Sequence, residues 1–230
     1  MASMREDLVN ELLLLRDLGF THLDLNNRSQ IADRGSQEIE TGPVTGEPEL
    51  ITLAREASVC TKCRLAGTRT QVVWGVGNPD ADLMFIGEAP GRDEDLKGEP
   101  FVGRAGQLLT DIIKAMKLTR GDVYIANVVK CRPPENRNPE PDELDACRPY
   151  IRRQVELIKP KVIVTLGKFA LQSLTGRAHA VSAARGVWTD YNGVRVMPTY
   201  HPAYLLRTPS AKKDVWNDMK KVMTELGISA

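Results

Sequence analysis

The sequence predicts an α/β fold built on a mostly parallel sheet. Three observations carry that reading. Four short stretches, "ADLMFIG" (81–87), "DVYIAN" (122–127), "KVIVTLG" (161–167) and "VRVMPTY" (194–200), are near-continuously apolar and rich in β-branched residues, as strands covered on both faces are. Helical stretches at 104–117, 139–158 and 168–174 separate them, and strand alternating with helix is the pattern of right-handed parallel crossovers. Unusual chemistry follows the strands, in "GEAPG" (87–91), "NVVKCRPP" (127–134) and "YHPAYLLR" (200–207), with "LGK" (166–168) at the fourth strand end. Open α/β sheets bind their ligands beyond such carboxyl ends.

In chain order, residues 4–18 pattern as a helix, with Leu8, Leu12 and Leu15 near one face. Residues 26–48 are polar and carry Gly35, Gly42, Pro43, Gly46 and Pro48, the composition of a linker. The first 50 residues hold 4 Lys+Arg against 10 Asp+Glu, and residues 51–230 hold 27 against 20. The chain therefore divides into an acidic, loosely packed preface (1–50) and a mildly basic body (51–230), which permits a polyanion partner without requiring one. A helix near 49–59 leads into "CTKC". The helix at 139–158 has a start signal in Asn138 as N-cap and Pro139 at the first helical position. Asn192-Gly193 in "DYNGVRV" suits a type I′ hairpin turn.

With 230 residues, 42% of them hydrophobic, the chain can bury a substantial core. No run approaches the ~18 apolar residues of a membrane span, and no basic segment leads into an apolar one with a cleavage site. A cytoplasmic protein with no membrane partner, acting as a monomer, is expected. There, disulfides are disfavoured, so the four cysteines Cys60, Cys63, Cys131 and Cys147 read as a four-thiolate metal site opened by a C-x2-C pair, ahead of four unrelated buried thiols. Zinc and an iron–sulfur cluster are not separable by that spacing.

The remaining motifs each admit two readings. Glycines 87 and 91 with Pro90 form a tight loop that can approach a ligand, while Asp93, Glu94 and Asp95 read first as a solvated acidic run. "GVGNPD" precedes a strand and lacks its third glycine, and no GK[ST] is present, so dinucleotide and P-loop readings fail. His201, at a strand end, is an active-site group or a packed histidine; His22 and His179 read as surface residues. Leu205, Leu206 and Arg207 are core, or an apolar wedge with a phosphate partner. Phe101, in a glycine-flanked loop, packs in the core or stacks on a base. Asn127 satisfies loop backbone groups or offers a donor and an acceptor side by side.

Together "GEAPG", "PFVGRAGQLL", "NVVKCRPPENRNP" and "YHPAYLLR", with the four cysteines, closely resemble the family 4 uracil-DNA glycosylases over residues 55–226. The resemblance implies a three-layer α/β/α fold around a central, mostly parallel four-stranded sheet, with a [4Fe-4S] cluster on the four cysteines. It implies excision of uracil from single- and double-stranded DNA without strand cleavage, by flipping the nucleotide into a pocket. Glu88, Ala89, Pro90, Gly91, Glu94, Phe101, Asn127 and His201 would form that pocket. Phe101 would stack on the ring, and Asn127 would pair with O4 and N3–H. His201, with backbone N–H groups of 88–91, would stabilise charge on O2, and Glu88 would position water or steady the sugar cation. Better-known relatives carry Asp or Asn where this chain has Ala89. Glu94 would crowd the thymine methyl, and Arg132 and Arg137, set free by the cluster's hold on their loop, would meet DNA phosphates. A covalent-trapping relative carries a histidine-bearing loop after the second strand; "CRPPENRNP" has none, so turnover is expected.

Overall fold

A computed structural model describes residues 47–176 and 180–229. The expected helix at 4–18, nearly all of the acidic arm, His22 and His179 lie outside them. Helix α1 (Glu47–Ser58) opens the described chain. Six strands follow in one sheet: β1 (Val76–Gly77), β2 (Leu83–Gly87), β3 (Tyr124–Asn127), β4 (Val162–Leu166), β5 (Thr189–Tyr191) and β6 (Val194–Thr199), in the order β1-β3-β2-β4-β6-β5. The four expected strands are its parallel centre.

The sheet exceeds the predicted four because an antiparallel strand is added at each edge, β1 on β3 and β5 on β6. β1 is two residues long and β5 is a half-exposed "TDY", so neither carries the apolar run that marks a strand in sequence. The β5–β6 hairpin turns where expected, with Asn192 at φ 51° and Gly193 at φ 85°, the two positive values of a type I′ turn.

Successive residues of each central strand feed opposite layers, as a period of two requires. Met84, Ile86, Tyr124, Ala126 and Ile163 join one core cluster; Leu83, Phe85, Val123, Ile125 and Val164 join the other. The first layer is closed by α1 and α4 (Pro141–Ile158), the second by α3 (Arg104–Ala115) and α8 (Lys212–Glu225). The arrangement is the three-layer sandwich that the resemblance implies. Each fully buried large side chain, such as Phe85 or Ile113, contributes roughly 1.5–3 kcal/mol. Shorter helices fill the connections: α2 (Arg92–Lys97), α5 (Lys168–Thr175), α6 (Val181–Ala184) and α7 (Pro202–Arg207).

Helix α4 starts at Pro141 with Glu140 as N-cap, two residues later than Asn138 and Pro139 predict. The Glu143 carboxylate accepts the Glu140 N–H at 2.8 Å, a reciprocal cap available only when the helix begins there. Among the described residues, no helix is long and apolar enough to cross a membrane.

Candidate active site

The register sets Gly87 beside Asn127 and Leu166 beside Thr199, so the carboxyl ends of the central strands are level. Beyond them lies a cavity of about 390 Å³ lined by all eight expected pocket residues. That volume suits a small ring system. Ala105, Pro133, Asn136, Asn138, Ala203 and Tyr204 complete its wall with Arg137 and Arg207.

Gly87 is where the pocket floor is made. A Cβ there would stand 2.3 Å from Asn127 Oδ1 and 2.5 Å from Phe101 Cζ, so only a glycine lets carboxamide and ring meet over the sheet end. Phe101 adopts φ 56°, an uncommon conformation for a bulky residue that surrounding contacts must hold. Arg120 clamps it, donating to Phe101 O at 3.2 Å and to Pro100 O at 2.8 Å. Gly106 in α3 passes directly beneath, where a Cβ would lie 1.9 Å from the Phe101 carbonyl carbon and oxygen. Gly106→Ala should therefore cost ~2 kcal/mol or more through overpacking. A melting temperature lowered by roughly 4–8 °C is expected; an unchanged melt would show the Phe101 loop to be freely adjustable. Phe101, 6% exposed, is both packed in the core and part of the cavity wall.

Asn127 is 1% exposed. Its Oδ1 is one of three buried side-chain polar atoms without a hydrogen-bond partner among the described residues. Such an orphan costs ~1–3 kcal/mol and demands an explanation; a donor brought in by a ligand is one. Its backbone is fixed, because Val128 and Val129 N–H bond Gly87 O and Glu88 O at 3.0 Å and extend the β2–β3 pairing past the strands.

His201 caps α7, and its Nδ1 accepts the Ala203 N–H at 3.1 Å. The neutral imidazole must then carry its proton on Nε2. Burial, with a smaller contribution from the Arg207 charge, lowers its pKa to about 4, so the ring is neutral at physiological pH. Its centroid lies 5.6 Å from that of Phe101, the planes tilted by 32°. Glu88 moves the other way: burial raises its carboxyl to about 7, against the pull of Lys168. A poised carboxyl and a permanently neutral histidine thus share one cavity.

Of the acidic trio only Asp93 is exposed. Glu94 and Asp95 are buried. Glu94 accepts the N–H groups of Gly91, Val102 and Gly103 at 3.1, 3.0 and 2.9 Å, and Asp95 accepts that of Thr70 at 2.9 Å. Glu94 thereby ties the 88–91 loop to the Phe101 loop. Its bond to Gly91 commits one N–H group that the sequence reading assigns to O2.

Cys60 and Cys63 lie on the turn from α1 into a 3-10 helix (Arg64–Gly67), Cys131 just past β3, and Cys147 on α4. Cys131 and Cys147 are 5% exposed. Burial raises the Cys131 thiol, Arg69 opposes it, and Cys63 and Cys60 add to it. Burial raises Cys147 to about 11, with Lys130 opposing and Cys131 and Cys63 adding. A bound cationic centre would favour the thiolate form of these two buried thiols. Arg69 Nη1 and the Lys130 N–H donate to the sulfurs of Cys131 and Cys147, each at 3.5 Å, the kind of bond that tunes iron–sulfur sites. Among the described residues, no three His, Cys, Asp or Glu side chains are grouped to hold a single metal ion. The donor set itself, four thiols with N–H donors, fits a cluster.

The family model described as the uracil DNA glycosylase superfamily matches residues 74–220. A type-4 uracil-DNA glycosylase of Archaeoglobus fulgidus is 47% identical over 178 residues, covering 74% of this chain and 89% of its own length. The type-4 enzyme of Sulfurisphaera tokodaii is 46% identical over 77% of this chain and 84% of its own. That of Thermotoga maritima is 44% identical over 79% and 92%. The chain belongs to the type-4 uracil-DNA glycosylases.

Two expectations for the rim of this cavity are corrected. Leu205 is 1% exposed and packs in the α3–α8 core layer, so it is no wedge; Leu206 and Tyr204, 39% and 36% exposed, face outward beside the exposed Arg207. Arg137 is not free, since its guanidinium forks onto the buried Glu143 at 2.8 and 2.6 Å. Arg132 bonds Asn136 Oδ1 at 2.8 Å. Both arginines shape the loop they sit on. Sequence reasoning also missed Lys168 beside Glu88 and the buried Lys130 behind Asn127; a lone lysine next to a strand gives no signal of burial.

Proposed function

We propose that this glycosylase takes deoxyuridine out of single- or double-stranded DNA and hydrolyses its N-glycosidic bond. It releases uracil and leaves an abasic site without cutting the strand. One observation carries the reading: Asn127's unpartnered Oδ1 and the Phe101 ring share a cavity with a histidine whose proton is fixed on Nε2. Uracil offers N3–H to that oxygen and O4 to the carboxamide nitrogen, with Phe101 against its face. Cytosine presents the reversed pattern and would leave polar groups unpaired.

As the bond breaks, charge grows on O2. His201 Nε2–H would donate to it from a neutral ring, so stabilisation comes from a preorganised dipole at no cost of prior protonation. The Glu88 carboxylate would orient water toward C1′ and offset the developing sugar cation. Glu94 holds the two loops at their separation, and crowding of a 5-methyl group is proposed for the same side chain. Incubation with uracil-containing single- and double-stranded oligonucleotides followed by alkali should give cleavage at uracil. Intact oligonucleotide would sink the proposal.

The working form of Glu88 is the carboxylate, and its pKa is raised to about 7. Protonation below that value removes the active form, so kcat/KM should climb as pH rises through about 7 and then level. His201, titrating at about 4, adds no limb above that. Glu88→Gln should be slower by ~10²-fold and flat across the range. A limb that survives in Glu88→Gln would assign it to another group.

Cys60, Cys63, Cys131 and Cys147 would hold a [4Fe-4S] cluster, zinc being the alternative. The group would supply a structural pin, because hydrolysis transfers no electrons. Purified protein should contain iron and acid-labile sulfide with a broad visible absorbance; stoichiometric zinc would overturn the assignment.

A further inference from the structure

Lys130 is 2% exposed, the only lysine among the buried residues described. Its Nζ donates to Asn127 O at 2.8 Å, to Trp74 O at 3.1 Å and to Gln154 Oε1, and lies 5.1 Å from the Trp74 ring centroid. Three acceptors need three N–H donors, which only the ammonium supplies. A charge buried in an apolar layer is costly, and a hydrophobic side chain of similar volume is often as stable there. Its placement must therefore be explained by what it touches.

What it touches is the main chain of Asn127. On the cavity side, Asn127 Oδ1 has no partner, so nothing bonded to that oxygen fixes the carboxamide before a base arrives. The residue is held from behind: by the β2–β3 pairing, by the Val128 and Val129 N–H groups, and by the Lys130 ammonium on its carbonyl. Gln154 in turn fixes the ammonium, donating to Trp74 O at 3.2 Å and Tyr124 Oη at 3.1 Å. The Lys130 backbone N–H meanwhile points at Cys147 Sγ, so one residue joins the thiol site to the recognition strand.

We propose that Lys130 is a positioning residue for base recognition, its ammonium fixing the Asn127 carbonyl and through it the angle of the carboxamide. The inference rests on reading the cavity as the uracil pocket. It assigns Lys130 no contact with substrate.

The test is a double-mutant cycle with Asn127→Ala, read as single-turnover uracil release. Lys130→Met keeps the length and removes the donors. Alone it should slow release by ~10–100-fold, the scale of a small misplacement in a reacting geometry. In the Asn127→Ala background it should cost less than ~3-fold, because the residue it acts through is gone. Equal cost in both backgrounds, or no cost in either, overturns the proposal; the first marks a scaffold role alone. Should Lys130→Met fail to melt cooperatively, Gln154→Met replaces it. That variant removes one acceptor and leaves the ammonium on Asn127, so a loss of ~3–10-fold is expected, again vanishing beside Asn127→Ala. Additive losses there overturn the proposal as well. Wild-type protein that releases no uracil would remove the pocket reading itself; uracil release with additive variants would remove Lys130 alone.

Discussion

His201→Ala should slow uracil release by ~10²–10³-fold, the cost of losing one preorganised donor at a developing oxyanion. Affinity for abasic DNA should stay within ~3-fold, since the interaction is made chiefly in the transition state. The expectation rests on the cap geometry. With Nδ1 committed to the Ala203 N–H, the ring has only Nε2–H to offer the cavity, and burial keeps it uncharged. An alanine there also surrenders the α7 cap, worth ~1 kcal/mol, so thermal melts must accompany the kinetics. His201→Asn, which can cap a helix, should restore the melt and leave the rate low. Rate and binding falling together would mark His201 as structural.

Asn127 carries the second large effect, on selectivity. Sites built to bond a polar edge can reject the wrong partner by ~10⁴–10⁵, and Asn127 presents its edge from a buried position. Asn127→Asp keeps the shape and replaces the donor amide by an acceptor. It should lose uracil at O4 and gain cytosine at N4, collapsing the ratio of uracil to cytosine release by ~10²-fold or more. The ratio is measured on matched oligonucleotides. An unchanged ratio would place base recognition elsewhere in the cavity.

These residues were legible in the sequence for different reasons. The four parallel strands announced themselves through apolar runs such as "MFIG" and "VIVTLG", and the chemistry-bearing residues were conspicuous as polar groups at strand ends. Asn127 and His201 needed no three-dimensional information to be noticed, only to be oriented. What stayed hidden depended on long-range partners. Glu94 and Asp95 look like surface acids until the N–H groups they accept come from loops 8 to 25 residues away in sequence. Lys130 looks like any lysine until Trp74 and Gln154 close over it from 56 and 24 residues away. Arg137 reads as a phosphate ligand until α4 begins where Glu143 can claim it. Leu205 and Leu206 are neighbours in one motif, and only the packing of α7 decides which is core. Strand β1 escaped because an edge can be held by two residues without an apolar pattern, and β5, a half-exposed "TDY", was marked only by the Asn-Gly turn that follows it.

One cavity is proposed both to select uracil and to break its glycosidic bond. This dual role is tested most directly by single-turnover reactions on three oligonucleotides differing only at one base, uracil, cytosine or thymine, with the freed base identified by mass. Free uracil and an unbroken strand that alkali then cuts at that position are expected, with cytosine and thymine retained. Comparable release of cytosine or thymine, or tight binding of the uracil strand with no base released, would contradict it.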